Sequence, residues 1–250
     1  MKISLILISL LCANAFALLP ASPAVDKSWQ SVVQLKIPGP TPDGDIIDGY
    51  CVGTLISNDT VVTAAHCVTN STLNYMGKIK IEIGEYQTRT RPDGTTYRSG
   101  YITILRHESK VTVKFMKGID FGSVANKIPP GSDFAFVRLN TPLTLPTDFI
   151  FANIWKQSIQ GINLMNPLLV SVNPIEYINT NDTKQFAYLN QMTFSKYSAQ
   201  SQSISRVAPG DSGAPLFATI QGKIYLVGVT KGLATAFFTD YDIFAVWGER

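Results

Sequence analysis

The chain has 250 residues and a mass of 27.4 kDa; 45% of its residues are hydrophobic, 10% aromatic and 16% charged. That excludes a disordered or fibrous chain and fits one large domain, or two small ones, with a real core. Lys plus Arg is 21 against 18 for Asp plus Glu, and a net charge of +3 gives no electrostatic footprint for nucleic acid.

The first predicted element is an address. Lys2 supplies a short positive start, Ile3 to Leu11 is almost wholly apolar, and Ala13-Asn14-Ala15 and Ala15-Phe16-Ala17 place small residues where signal peptidase needs them. Residues 1–17 are therefore expected to be a secretory signal peptide cleaved after Ala17. Loss of Lys2 then takes the charge from +3 to +2. Past residue 20 no apolar run approaches the ~18 residues that span a bilayer, so no stable membrane insertion is expected after cleavage. Of the three cysteines, Cys12 leaves with the signal. Cys51 and Cys67 remain in an oxidising compartment, where a bridge between them would stabilise by roughly 3 kcal/mol in the chain-entropy model. Two cysteines and two histidines without ligand spacing are too few for a zinc site, and no cofactor or metal is implied. Asn58-Asp59-Thr60, Asn70-Ser71-Thr72 and Asn181-Asp182-Thr183 fit the glycan acceptor pattern, with chance the default for so short a motif.

Strand-like runs follow in order. Ser31 to Ile37 alternates in part. Tyr50 to Ile56 and Thr60 to Thr63 flank a turn. Lys78-Ile79-Lys80-Ile81-Glu82-Ile83 alternates strictly, as a half-buried strand should. Tyr101 to Leu105 and Asp133 to Leu139 are similar. In the second half Leu168 to Val172, Phe186 to Ser195, Ala214 to Ile220, Lys223 to Val229 and Tyr241 to Val246 read as strands, with Gly, Pro, Asn and Asp between them. Ile150 to Ile159 is the one candidate helix. Residues 84–100 and 117–132 read as long surface loops, and the two prolines within Asn140 to Thr147 mark the internal boundary. Many short strands between turns point to a sandwich or barrel.

Three motifs carry chemistry: Thr63-Ala64-Ala65-His66-Cys67, then Ser132-Asp133-Phe134-Ala135-Phe136-Val137-Arg138-Leu139, then Gly210-Asp211-Ser212-Gly213. In this order, with the cysteine pair beside His66 and Trp29-Gln30 ahead of the first strand, the chain resembles the chymotrypsin-type (trypsin-like) serine endopeptidases over roughly residues 25–246. The resemblance implies an all-β fold of two six-stranded antiparallel barrels with the site between them. Barrel one would cover about 28–140, a linker about 141–149 and barrel two about 150–246, within a peptidase domain of 18–250. It also implies a Cys51–Cys67 disulfide and a protein or peptide substrate.

Serine needs an adjacent base to become a nucleophile. The resemblance assigns that base to His66, the nucleophile to Ser212 and the orienting carboxylate to Asp133, with the N–H groups of Gly210 and Ser212 as oxyanion donors. Asp120, in Gly118-Ile119-Asp120-Phe121-Gly122, competes with Asp133, but no strand of the required length follows it. His107 resembles a non-catalytic loop position. Thr230, Lys231 and Gly232 look like the segment that pairs with the substrate backbone, with Lys231 where the family often has an aromatic residue. Arg206, six residues before Ser212, stands near the base of the specificity pocket, where a tryptic pocket would want a carboxylate. It either favours an acidic side chain, or neutralises Asp211, or points to solvent.

Two departures from the family concern bracing and activation. Ala208, followed by Pro209, replaces the cysteine that often braces the pocket, and Ala214 replaces a second glycine. No Ile-Val-Gly-Gly-like start exists to pair with Asp211. Either an amine near Leu18 or a cation such as Arg206 is left for that role. Two other functions compete. An esterase elbow of the Gly-x-Ser-x-Gly type is set aside, because Ala214 takes the last glycine and a strand, not a helix, follows. A catalytically inactive homologue acting as a binding protein stays open.

Overall fold

The protein, seen here in a computed structural model, is described at residues 22–23, 29–40, 43–69, 73, 76–159, 162, 164–172, 184–189, 192–194, 198–201, 207, 210–236 and 239–246. The expected signal peptide, the sequons at Asn70 and Asn181, and Arg206, Ala208 and Pro209 lie outside the described residues.

Strands β1 (Ser22–Pro23), β2 (Val32–Pro40), β3 (Ile46–Leu55), β4 (Thr60–Thr63), β5 (Lys78–Thr90), β6 (Thr96–Phe115) and β7 (Ala135–Leu139) fill the first half. The second half holds β8 (Met165–Val172), β9 (Lys184–Tyr188), β10 (Met192–Phe194), β11 (Ser198–Ser201), β12 (Pro215–Ile220), β13 (Lys223–Ala236) and β14 (Thr239–Val246). A single α-helical turn, α1 (Ala65–Val68), follows β4. Six strands close an antiparallel barrel in the order β2-β3-β4-β7-β6-β5. The remaining strands form an antiparallel sheet in the order β1-β9-β8-β12-β13-β14-β11-β10 among the described residues.

Alternation explains the barrel. Ile79, Ile81 and Ile83 point inward and are buried, with Val33, Leu35 and Ile37 of β2 and Val61 and Val137 in the same core. The intervening polar residues pair on the outside, Lys80 with Asp48 and Lys78 with Glu108. A second core fills the sheet and also takes in Val32, Val52, Val62 and Phe134 from the barrel half. The two halves thus share one hydrophobic cluster, and that fixes the seam between them.

Two expectations need correction. Ile150 to Ile159 is not a helix. Ala152 N–H donates to Leu55 O, Trp155 N–H to Leu226 O, and Leu226 N–H to Asn153 O. A segment whose backbone bonds are made to both halves has none left for the bonds four residues apart that a helix requires. Residues 84–100 are not a loop either. β5 and β6 stay paired out to Thr90↔Thr96, and Arg91 N–H closes the tip on Thr95 O. The run Glu85-Tyr86-Gln87-Thr88-Arg89-Thr90 has no alternation of apolar and polar residues, so the period-2 signal that marks a strand is missing there.

Candidate active site

His66 sits on α1, the turn that β4 feeds directly. Its backbone N–H donates to Asp133 Oδ1 at 2.9 Å, and its ring Nδ1 lies 2.9 Å from Asp133 Oδ2. One carboxylate therefore grips both the backbone and the ring of the histidine. An ionised carboxylate only accepts, so Nδ1 carries the hydrogen and Nε2 is left as the basic nitrogen.

Asp133 leads into the strand next to β4 in the barrel. It caps the 3-10 turn Pro130–Ser132 and lies two residues before β7, which pairs with β4. That pairing brings residues 67 positions apart in sequence into contact. The Asp133 side chain is fully buried. Burial alone would raise its pKa, but the hydrogen bonds and charge of His66, with the charge of Lys231, hold it below the ordinary carboxylate value.

Asp120 is exposed and engaged locally, with Ser123 Oγ donating to its Oδ1 at 2.7 Å. His107 places Nε2 2.9 Å from Thr141 O, which fastens the chain leaving the barrel to β6. Neither belongs to the cluster around His66.

The Ser212 turn is held from both halves. Val52 N–H of β3 donates to Ser212 O at 2.8 Å, and Gly213 N–H donates to Thr230 O of β13 at 2.9 Å. Thr230 N–H donates in turn to Ala214 O, and Ala214 N–H closes on Asp211 O. Gly213 has φ +82°, and a Cβ there would run into the Thr63 hydroxyl, the Val52 carbonyl and Ala64 N. Gly210 is also left-handed, at φ 96°. Only glycine adopts such angles without strain, which is why the turn can press its backbone on β3 and β4.

Cys51 and Cys67 form a disulfide. Cys67 Sγ, one residue past His66, lies 3.7 Å from Ser212 O. The bridge thus joins β3, whose Val52 bonds Ser212 O, to the helical turn that carries His66. Among the described residues, no group of three or more His, Cys, Asp or Glu stands together as a metal site.

Two features go beyond the sequence reading. Asp211 is buried and accepts a hydrogen bond from Ser171 of β8. Ser171 is an ordinary strand serine that no motif would single out. Lys231, in the segment expected to pair with the substrate backbone, sends its ammonium to Asp133 Oδ2 at 3.2 Å, Ile128 O at 2.6 Å and Ala125 O at 3.3 Å.

Comparison with known proteins places the chain in a family. A family model described as Trypsin matches residues 20–236. The Spaetzle-processing enzyme of Drosophila melanogaster is 29% identical over 208 residues, covering 72% of this chain and 51% of that protein. Phenoloxidase-activating factor 1 of Holotrichia diomphalia is 48% identical over 44 residues, 17% of this chain and 12% of that protein. The chain spans about half the length of the first of these relatives or less. Among the described residues, no helix is long and apolar enough to cross a membrane.

Proposed function

The chain belongs to the trypsin family of serine peptidases, whose substrates are proteins, and from that premise we propose that it is a secreted, active endopeptidase working through Ser212, His66 and Asp133. The observation that carries the reading is the double hold of Asp133 on His66, with the Ser212 turn bonded to the strand behind the same disulfide. Secretion is supported by the leader pattern of residues 1–17 and by the disulfide, which persists in oxidising compartments.

The steps follow from the groups present. Ser212 Oγ attacks the scissile carbonyl carbon as its proton passes to His66 Nε2. The carbonyl electron pair moves onto oxygen, and the N–H groups of Gly210 and Ser212 receive that oxyanion. On collapse the C–N bond breaks and His66 returns the proton to the leaving amine, leaving an acyl-serine. Water repeats the sequence with His66 again as base, and the acid product leaves. Asp133 stays ionised throughout, a state its contacts with His66 and Lys231 favour.

The second reading, a silent homologue that binds a partner, is favoured by the ammonium seated on Asp133. A fluorophosphonate probe separates the two. Covalent labelling of the secreted chain, lost in Ser212→Ala, is the expected result. An unlabelled but folded wild type would overturn catalysis and leave binding.

Specificity enters the proposal through Arg206. With a cation where a tryptic pocket needs a carboxylate, cleavage after Lys or Arg is not expected. A peptide panel varied only at the residue before the scissile bond checks this, and a dominant preference for Lys or Arg would refute it.

A further inference from the structure

We propose that Lys231 is a positioning residue whose charge, shared with His66 through Asp133, sets the pH range over which His66 works as a base. The inference rests on His66 being that base. Its ground is geometric. β13 shifts register against β14 between Thr230 and Gly232, so Lys231 is the extra residue of a β-bulge. Bulges re-aim a side chain off the regular face of the sheet. Here the side chain crosses from the second half of the molecule to the first, with only 16% of it exposed. The carbonyls of Ile128 and Ala125 take two of its N–H donors, and Asp133 Oδ2 takes a third. That oxygen is the one already facing His66 Nδ1. The neighbouring Thr230 hydroxyl is buried and makes no hydrogen bond. The ammonium, not that hydroxyl, supplies the carboxylate's third contact.

The charges around Asp133 can be followed element by element. α1 presents His66 and β13 presents Lys231. The 3-10 turn Ala125–Lys127 carries Lys127, which is exposed. Asp211, beside the nucleophile, is bonded by Ser171. β14 packs on the turn that ends in Asp133 and carries Asp240 and Asp242, whose side chains lie outside the described ones. Among the described residues, the ionisable groups in contact with Asp133 are His66 and Lys231.

A triad carboxylate ordinarily spends its charge on the imidazolium that forms as the proton leaves serine. Here part of that charge already faces an ammonium. A fixed positive charge sharing the same oxygen makes a second one on His66 less favourable. Removing the ammonium would leave the whole carboxylate charge to the imidazolium.

The test uses the full chain with two neutral variants, Lys231→Gln and Lys231→Met, and the charge-keeping Lys231→Arg. Two readouts are taken: the pH dependence of kcat/KM, and the titration of the His66 ring followed by NMR, which needs no turnover. In the neutral variants the ring midpoint and the acid limb of activity should both move to higher pH. Lys231→Arg should keep the wild-type midpoint. Neutral variants that titrate like wild type, whatever their activity, would overturn the proposal and leave Lys231 a tether. A shifted ring midpoint in a protein whose Ser212 takes no fluorophosphonate would sink the endopeptidase reading while leaving the charge coupling intact.

Discussion

Asp133→Asn should lower kcat by about 10⁴, the loss associated with the aspartate of a Ser-His-Asp triad as a class. The reason lies in the two contacts that Asp133 makes with His66. As a carboxylate it accepts from the His66 N–H and from Nδ1. An asparagine keeps one accepting oxygen, which the backbone N–H retains, and turns an NH2 toward the ring. Nδ1 must then accept, the hydrogen moves to Nε2, and no lone pair is left for the proton of Ser212. Asp120→Asn is the control, because Asp120 is exposed and bonded within its own turn. It should leave kcat at the wild-type value. A loss under tenfold in Asp133→Asn, or an equal loss in both variants, would refute the assignment.

The same substitution carries a stability signature. The pKa of Asp133 is lowered in the folded protein. Its contribution to stability is therefore complete above the ordinary aspartate pKa, about 3.9, and fades as pH falls through the lower folded value. Denaturant unfolding at a series of pH values should show wild type losing stability on acidification below about pH 4. Asp133→Asn, with nothing to protonate there, should lose less over that window.

The barrel was readable wherever one face of a strand is buried. Lys78 to Ile83 shows it, because the pleat turns Ile79, Ile81 and Ile83 into the core. It was not readable where that condition fails. The outer arm of β5 and β6 has no apolar alternation in its sequence, and Ile150 to Ile159 looks like a helix until its backbone bonds to Leu55 and Leu226 are known. Both depend on partners distant in sequence. The site divides in the same way. His66 and Ser212 announce themselves through neighbours fixed by local geometry, a cysteine that must bridge and glycines that must turn. Asp133 needed a choice against Asp120, and the pairing of β7 with β4 is what separates them. The Lys231 contact follows from a bulge, and Ser171 reaches Asp211 across the sheet. Neither a bulge nor a cross-sheet hydrogen bond leaves a trace in residue spacing.

Gly213→Ala should destabilise the protein far more than Gly94→Ala, although the two glycines share nearly the same backbone angle, φ +82° and +83°. Left-handed backbone costs a residue with a side chain about 1–2 kcal/mol, so that part is common to both. Gly94 lies at the exposed tip of the β5–β6 arm, and a methyl added there would meet nothing within 4 Å. At Gly213 the new methyl meets the Val52 carbonyl and Ala64 N, backbone atoms of β3 and of the residue before α1, together with the Thr63 hydroxyl. None of these is the free end of a flexible side chain. The Thr63 hydroxyl is itself held by a bond to Val52 O at 2.6 Å. Relief therefore requires the serine turn to lift off β3, which breaks the bond from Val52 N–H to Ser212 O and displaces Ser212. At about 2–4 °C per kcal/mol for a chain this size, Gly94→Ala should lower Tm by a few degrees and leave fluorophosphonate labelling unchanged. Gly213→Ala should lower Tm by on the order of 10 °C, about 3 kcal/mol or more, and slow labelling severely even below its Tm. Equal Tm losses in the two variants would mean that strain at φ, not the close approach of the serine turn to β3, is what the glycine relieves.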